Sequence, residues 1–473
     1  MKLGFLSIII FLITIIPTKV QASTYDGSYT LQIPEQISIN ENHSFKIKII
    51  SNNLNDNETV SIKFDKDFIL HDQYGKKDVY GYIENDEIEI ANNDSQDLEI
   101  FYQIDKLDAG KWQGNINASV KLNKSYVSGM LLDGNHLNAI LQEYMPKQLT
   151  FSNEIYTSNY ANIAGKPYID VSLGQDQSAL LFKSSSTGYT ITSNGNECLY
   201  ANYDCENMFS LLSALTKINN LNLLDTSYTT NMKSMFSSCA ALTTLDVSSF
   251  ITNSVTNMAN MFSSCGKLKS ITGLNNFVTN NVTDMSSMFS SCYKLATGIE
   301  DTSSFNTSNV TNTSHMFESV NFDNKTTKAT LDLDLSNWDL SNNNDMSYVF
   351  KDVYMLKSVS FSDNVSTSSL ENMSYMLSGC LYIDNVNLSK FDTSNVKDMS
   401  YLFNDCRLLI HTGNLNNWNV SNVTNIDNMF YSTWNIDISE TGNLNSWNVK
   451  NNISKNNTFG GESTYENNKP RWY

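Results

Sequence analysis

Met285-Ser286-Ser287-Met288-Phe289-Ser290-Ser291-Cys292 is the fullest copy of a phrase that this chain repeats. Its Met-Phe step, or a close variant, recurs at intervals of 26 to 28 residues, except for one interval of 33 after Met316. The nine steps are Met208-Phe209, Met235-Phe236, Met261-Phe262, Met288-Phe289, Met316-Phe317, Val349-Phe350, Met376-Leu377, Leu402-Phe403 and Met429-Phe430. A fixed period of this size is typical of stacked units, none of which buries its apolar face without a neighbour. The sequence therefore predicts a solenoid.

Within one unit, the apolar spacing changes from a helical to a strand period. Apolar residues lie three and four apart in the first part of the unit, which predicts a short helix: Val282, Met285, Met288, Phe289 and Cys292. Further on, residues 242–247 and 356–361 alternate with a period of two, which predicts short strands. We therefore predict an α/β solenoid of leucine-rich-repeat type over residues 204–455, with about nine units of short strand plus short helix.

The segments on either side of the repeats have different patterns. Residues 23–124 alternate between apolar and polar and contain Asn, Asp and Gly turns, which predicts an all-β immunoglobulin-like sandwich. Two roles stay open for that domain: attachment to a cell wall, or holding the solenoid away from one. Residues 125–203 are predicted to be an adapter and N-terminal cap, and residues 456–473 a C-terminal cap and tail, because solenoid ends need covering.

Residues 1–22 have the pattern of a signal peptide. Lys2 precedes an apolar run over residues 3–16, and Val20-Gln21-Ala22 provides small residues before a cleavage point. We expect a mature chain that begins at Ser23 and has no membrane span, with an uncleaved anchor as the alternative. The predicted location is therefore secreted or cell-surface.

Composition and motifs argue against several classes of function. The formal net charge of −18 disfavours nucleic acid and anionic membrane surfaces as partners, because both need a basic face. The five histidines match no metal-ligand spacing, and no Gly-rich phosphate loop, Ser elbow or Cys-His arrangement is present. We predict no catalytic residues, no metal and no cofactor.

Three repeated columns of residues have both a structural and a functional interpretation. Five cysteines follow the Met-Phe step by three residues: Cys239, Cys265, Cys292, Cys380 and Cys406. Val320 and Val353 take the same place in other units, so buried thiols are favoured over a metal or disulfide ladder. Cys198 and Cys205 lie outside that column and are the candidate disulfide pair of an exported chain.

The other two columns are one of Asn or Asp and one of aromatic residues. The Asn or Asp column is expected to accept hydrogen bonds from backbone groups rather than to bind calcium: Asn231, Asn257, Asp284, Asn312, Asp345, Asn372, Asp398 and Asn425. The aromatic column is expected to be packed, with a sugar-stacking ridge as the alternative if its members are exposed: Phe250, Phe277, Phe305, Trp338, Phe391, Trp418 and Trp447.

Two phrases resemble a known family. Residues 391–403, which read FDTSNVKDMSYLF, and residues 418–426, which read WNVSNVTNI, look like the repeat of BspA-like leucine-rich-repeat surface proteins of bacteria. The resemblance covers about residues 204–453. It implies a secreted or surface-displayed bacterial protein with a horseshoe or rod of repeats, and adhesion to host matrix proteins or to other bacteria. The chain departs from the family in having no recognisable wall-sorting signal.

These observations predict an exported bacterial surface or secreted binding protein. It is adhesin-like and non-catalytic, and its solenoid sheet face binds a protein or glycan on a host or bacterial surface. The alternatives are a structural spacer or matrix component without a specific ligand, and a wall-degrading enzyme. The candidate binding residues are the strand positions predicted to point outward: Thr244, Asp246, Ser270, Thr272, Ser358, Ser360, Asn385 and Asn387.

Overall fold

The structure is a computed structural model that divides the chain into two units, Met1–Tyr126 and Val127–Tyr473. In the second unit, the structure describes residues 127–321 and 330–473. In the first unit, it describes the ten strands given below and Lys66, which lies between two of those strands. The predicted domain boundary was placed between residues 124 and 125. Within the described residues, no helix is long and apolar enough to cross a membrane.

The first unit is one antiparallel sheet of ten strands. In chain order they are β1 (Gly4–Phe11), β2 (Val20–Thr24), β3 (Gly27–Gln32), β4 (Ser44–Asn52), β5 (Glu58–Phe64), β6 (Asp67–Asp72), β7 (Asp78–Ile83), β8 (Glu87–Ala91), β9 (Ser95–Tyr102) and β10 (Trp112–Lys124). Their order is β2-β3-β4-β9-β7-β6-β10-β5-β8, and β1 pairs with β10.

The predicted immunoglobulin-like sandwich is therefore not shown: the described strands form one sheet. Alternation along the chain reveals strands but not how they are divided between sheets, which depends on long-range pairing. Strand β1 and part of β2 lie in the predicted signal peptide, whose removal remains a prediction.

A helix and a mixed sheet lie at the start of the second unit, and one strand of that sheet belongs to the first repeat. Helix α1 (Gly134–Tyr144) begins after Asp133, whose carboxylate accepts a hydrogen bond from the His136 N–H at 3.1 Å. Its Asn138 side chain donates to the Ser210 carbonyl at 2.7 Å, which connects the helix to the first repeat. The sheet has the order β12-β13-β14-β11-β16. These strands are β11 (Gln148–Ser152), β12 (Ile169–Asp170), β13 (Leu180–Lys183), β14 (Gly188–Thr192) and β16 (Lys217–Asn219); β15 (Leu199–Tyr200) pairs elsewhere.

The predicted strand-plus-helix units are wrong, because the Met-Phe segments are chains of turns. In residues 127–321 and 330–473, α-helix is confined to α1 and to α2 (Ile438–Thr441), with short 3-10 turns at Leu221–Leu223, Leu274–Asn276 and Ile299–Ser304. Ser287 and Ser291 have φ values of 56° and 60°, which a right-handed helix does not allow.

Hydrogen bonds explain why the helical spacing was misleading. The Met288 N–H donates to Met285, three residues back, whereas the Ser287 and Phe289 N–H groups donate to the Ser314 and Met316 carbonyls of the next unit. Backbone N–H groups along the segment therefore alternate between donating within their own unit and donating to the next unit. A series of three-residue turns also directs every third side chain inward, so spacing alone does not separate it from a helix.

Short parallel strands follow the turns in several units. They are β17 (Leu224–Asp225), β18 (Thr244–Asp246), β19 (Ser270–Thr272), β20 (Leu331–Leu335), β21 (Leu356–Phe361) and β22 (Asn385–Val386). Strand pairs β15-β17 and β18-β19 and the triplet β20-β21-β22 are all parallel. The Asn or Asp column adds a continuous series of single parallel bridges, from Asp204 with Asn231 to Asn425 with Ser454.

The core of the second unit is made of columns that continue from one repeat to the next. Buried phenylalanines stack in adjacent units, as in Phe262 on Phe289, with ring centroids 5.5 Å apart. The five cysteines of the column are buried, and each thiol donates to a backbone carbonyl of an earlier unit, as Cys265 does to Phe236 at 3.1 Å. All seven cysteines are free, so the candidate Cys198–Cys205 disulfide is absent.

Candidate functional site

Six of the eight predicted binding residues are exposed, and two are half-buried. Thr244 and Asp246 lie outward on either side of the buried Leu245, and Ser360 follows the buried Val359 in the same way. The half-buried members are Ser270 and Ser358. The alternation of short strands therefore located the outward side chains correctly, although the rest of the unit is not helical.

The strand register aligns these residues in rows across the repeats. Thr244 pairs with Ser270 and Asp246 with Thr272, and Ser270 pairs further with Thr297. A second set begins with Asp332, which pairs with Ser358, followed by Asn385 and His411. We call these two sets the strand face; it is defined by the eight predicted residues together with Thr297, Asp332, Asp334 and His411.

The last four residues of the strand face were not predicted. Asp332 and Asp334 alternate with leucines in Leu331-Asp332-Leu333-Asp334-Leu335, a pattern that was available in the sequence. The insertion after Met316 separated this segment from its repeat position and concealed it. His411 stands where the neighbouring units have Asn385 and Ser358, so aligning the strands rather than the Met-Phe steps reveals it.

Local hydrogen bonds fix the polar groups of the strand face. The Asp246 carboxylate accepts from the Ser248 N–H at 3.0 Å, and Asp334 accepts from Ser336 at 3.0 Å. These bonds from Ser248 and Ser336 lower the pKa of each carboxyl group, so both are ionised at neutral pH. The Ser358 hydroxyl donates to Asp332 at 2.5 Å.

His411 connects two repeats at one end of the strand face. Its Nδ1 lies 2.5 Å from a carboxylate oxygen of Glu440, in the next unit. The hydrogen bond to Glu440, with the charges of Glu440, Asp437 and Asp384, raises the pKa of His411. The region around His411 is therefore acidic, and it favours the protonated imidazole.

The aromatic column at the start of the units is buried and is not a sugar-stacking ridge. Phe277, Trp418 and Trp447 are only 3 to 4% exposed. The Trp418 indole donates to the Leu388 carbonyl at 3.1 Å, and Trp447 donates to Leu415 at 2.8 Å. These residues belong to the core.

A different aromatic row is half-buried at the surface, and we call it the tyrosine ladder: His315, Tyr348, Tyr375 and Tyr401. The rings of successive members are parallel within 10°, with centroids 4.4, 4.6 and 4.3 Å apart. The apolar spacing of the repeats did not predict it. The signal was present, because Met-Ser-Tyr occurs at residues 346–348, 373–375 and 399–401, always just before the Met-Phe step or its variant.

Charged groups surround the first rungs of the ladder. His315 Nδ1 lies 2.6 Å from Glu318, and Lys351 Nζ lies 3.1 Å from Glu318 and 2.8 Å from Asp352. Burial alone would raise the pKa of Glu318, but the hydrogen bonds from His315 and Lys351 outweigh it and hold that pKa below its usual range. Burial and the neighbouring tyrosines raise the pKa of Tyr375 to about 12, so its phenol stays protonated.

The Asn or Asp column is occupied by local backbone contacts. The side-chain oxygens of Asn257, Asp284 and Asp398 each accept from the N–H two residues later, at 2.8 to 2.9 Å. These contacts are the structural role that was expected of the column. Among the described residues, no group of three or more His, Cys, Asp or Glu side chains could hold a metal ion.

The second unit is thus a repeat protein of stacked turns, with in-register polar strands and an aromatic ladder on its surface. Its repeats match the family described as "Mycoplasma protein of unknown function, DUF285" over residues 203–330, 269–366 and 355–472. Together these matches span more than half of the 473 residues, and the chain belongs to that family. No curated protein and no solved structure matches the chain.

Proposed function

We propose that this chain is an exported, non-catalytic binding protein of a bacterial surface, adhesin-like, and that its strand face binds a protein or glycan on a host or bacterial surface. The observation that carries the proposal is the in-register display of small polar side chains across adjacent repeats. The resemblance to BspA-like repeats and the signal-peptide pattern of residues 1–22 support the location.

The chemistry of the strand face suits an extended macromolecule. Thr244, Ser270 and Thr297 offer hydroxyl groups at the spacing of adjacent strands. Asn385 and Asn387 offer side-chain amides two residues apart in one unit. Such groups hydrogen-bond a partner over a wide area without a deep cavity. Asp246, Asp332 and Asp334 add negative charge, which favours a neutral or basic partner and disfavours nucleic acid.

The test uses the full chain and two double variants of equal charge. Thr272→Arg with Ser360→Arg places bulky cations on exposed positions of the strand face. Ser254→Arg with Ser368→Arg places the same charges on exposed turns outside it and is the matched control. Binding is measured as saturable retention on arrays of matrix proteins, glycans and bacterial wall material.

We expect the first variant to lose at least ten-fold in affinity for the retained ligand, while the control keeps it and both have the native thermal transition. Equal affinity in the two variants would refute the strand face as the binding surface. Absence of saturable binding by the native chain would instead favour a structural spacer.

A further inference from the structure

We propose that the tyrosine ladder ends in a carbohydrate-binding platform, in which the outer face of Tyr401 stacks against a neutral hexopyranose unit of a glycan. This site is separate from the strand face. In each unit, the ladder tyrosine comes ten residues before the strand-face residue. The pairs are Tyr348 and Ser358, Tyr375 and Asn385, and Tyr401 and His411.

The ladder stops at Tyr401 although the repeats continue. The Tyr401 N–H donates to the Asp427 carbonyl and the Phe403 N–H to that of Met429, so Asn428 is the residue one rung beyond Tyr401. An asparagine side chain is much shorter than a phenol ring. Among the described residues, the only ring in contact with Tyr401 is that of Tyr375. The face of Tyr401 that is turned towards Asn428 therefore lacks the aromatic neighbour that every other interval of the ladder has.

The backbone indicates that these tyrosines are not merely filling space. Tyr348, Tyr375 and Tyr401 have φ values of 59°, 57° and 56°, in the left-handed region that disfavours bulky side chains. The same column has Ser, Asn or His in the other units, at Ser234, Asn260, Ser287, His315 and Asn428. Serine and asparagine satisfy the turn there, so three consecutive tyrosines are explained by what their rings do at the surface.

The Tyr401 end of the ladder, which is half-buried, has the features of a sugar platform. An aromatic face carries negative charge density and attracts positively polarised C–H groups, such as those on the apolar face of a pyranose. The side-chain amide of Asn428 has no hydrogen-bonding partner within the part of the chain that the structure describes, and it can serve sugar hydroxyls as donor and acceptor. Asp427 lies beside it, held by Ser454 and Asn456. An acidic surface of this kind disfavours anionic ligands and suits a neutral sugar.

The other end of the ladder is the weaker platform. His315 Nδ1 lies 2.6 Å from a Glu318 carboxylate oxygen, so this ring is held by a charged neighbour, and an imidazole offers a smaller stacking face than a phenol ring. We therefore place the sugar at Tyr401.

The experiment measures binding of cellohexaose and chitohexaose to the full chain by isothermal titration calorimetry. Tyr401→Asn removes the platform and introduces a residue that this column already tolerates. Tyr382→Asn is the matched control, because Tyr382 is 45% exposed and lies outside the ladder. Tyr401→Phe keeps the ring. Asn428→Arg leaves the ladder intact and lays a guanidinium over the Tyr401 face, which blocks it.

We expect saturable binding of at least one of the two sugars by the native chain. Tyr401→Asn and Asn428→Arg should each weaken it at least ten-fold, whereas Tyr382→Asn and Tyr401→Phe should change it by less than three-fold. The proposal is overturned if the native chain binds neither sugar, if Tyr382→Asn weakens binding as much as Tyr401→Asn, or if Asn428→Arg has no effect. Loss of binding in the Thr272→Arg, Ser360→Arg variant with an unchanged response in Tyr401→Asn would assign the sugar to the strand face instead.

Discussion

A thiol in this protein serves as a hydrogen-bond donor between repeats rather than as a reactive group. Cys239, Cys292 and Cys380 each donate to a backbone carbonyl of an earlier unit, at 3.0 to 3.1 Å. The carbonyls that accept from Cys292 and Cys380 also accept a backbone N–H, from Cys265 and Val353, so the thiol uses the second lone pair of the oxygen. Val320 and Val353 fill the same place in other units, where only the packing is retained.

Burial makes a direct prediction for thiol chemistry. It raises the pKa of Cys205 and Cys265 to about 12, so neither forms the reactive thiolate at pH 8. Six of the seven cysteines are buried, and only Cys198 is half-exposed. We expect an aromatic disulfide reagent at pH 8 to titrate one thiol per native chain and all seven in guanidinium chloride.

Cys198→Ser is the control and should abolish the native reaction. Rapid reaction of several thiols in the folded protein would contradict the buried column. Fewer than seven thiols in the denatured, unreduced chain would show a disulfide that the structure does not contain.

At the scale of elements, a repeat of 26 to 28 residues identified the stacking period, and alternation identified strands β18 and β21 close to their observed bounds. The helices were wrong because the left-handed residues Ser287 and Ser291 break a helix, and no pattern of apolar residues reports backbone φ. The single sheet of the first unit was missed because strand order depends on partners distant in sequence.

The residues of the candidate site were also predicted only in part. Outward strand positions follow from a period of two, so Thr244, Asp246 and Ser360 were found. Predicting the tyrosine ladder requires knowledge of which residue in each turn lies at the surface, and the apolar spacing does not provide it.

Residues 465–473 pack against the last repeats. Trp472 stacks on Trp447, with ring centroids 5.8 Å apart, and its indole donates to the Leu444 carbonyl at 2.7 Å. It thereby continues the column that Trp418 and Trp447 form in the preceding units. Tyr465 is fully buried and donates to the Gly442 carbonyl at 2.6 Å.

We expect Trp472→Ala to lower the free energy of unfolding of the last repeats by about 2–3 kcal/mol, from lost packing and the loss of one of the two hydrogen bonds to the Leu444 carbonyl. Urea unfolding followed by tryptophan fluorescence would measure it. Arg471→Ala, at the neighbouring exposed position, should change it by less than about 0.5 kcal/mol. Equal stability of Trp472→Ala and Arg471→Ala would mean that the segment does not stabilise the last repeats.

At the scale of the whole molecule, a net charge of −18 opposes the compact state through mutual repulsion. Lowering the pH from 8 to 5 adds bound protons and so reduces the net negative charge. It also protonates His411, whose pKa is raised in the folded state by its contact with Glu440. The stabilisation from that contact is fully present below the unfolded pKa of 6.5 and is lost as the pH rises through the folded-state pKa. Both effects make the folded state more stable at pH 5 than at pH 8.

Below pH 5 a third effect opposes them. The pKa values of Asp246, Asp334 and Asp437 are lowered in the folded state by hydrogen bonds from Ser248, Ser336 and Ser439. Their stabilisation is present above the unfolded value of 3.8 and is lost as the pH falls through the folded values.

The thermal transition measured by calorimetry at low ionic strength should therefore be highest near pH 5, lower at pH 8, and lower again below pH 3.8. Adding 0.5 M salt, where the Debye length falls to roughly 4 Å, should remove most of the difference between pH 5 and pH 8, because that difference is largely long-range repulsion. The remainder should disappear in His411→Gln, which keeps a polar group beside Glu440 but does not titrate. A transition that rises from pH 5 to pH 8 would show that the acidic surface is compensated by contacts formed only when its carboxylates are charged.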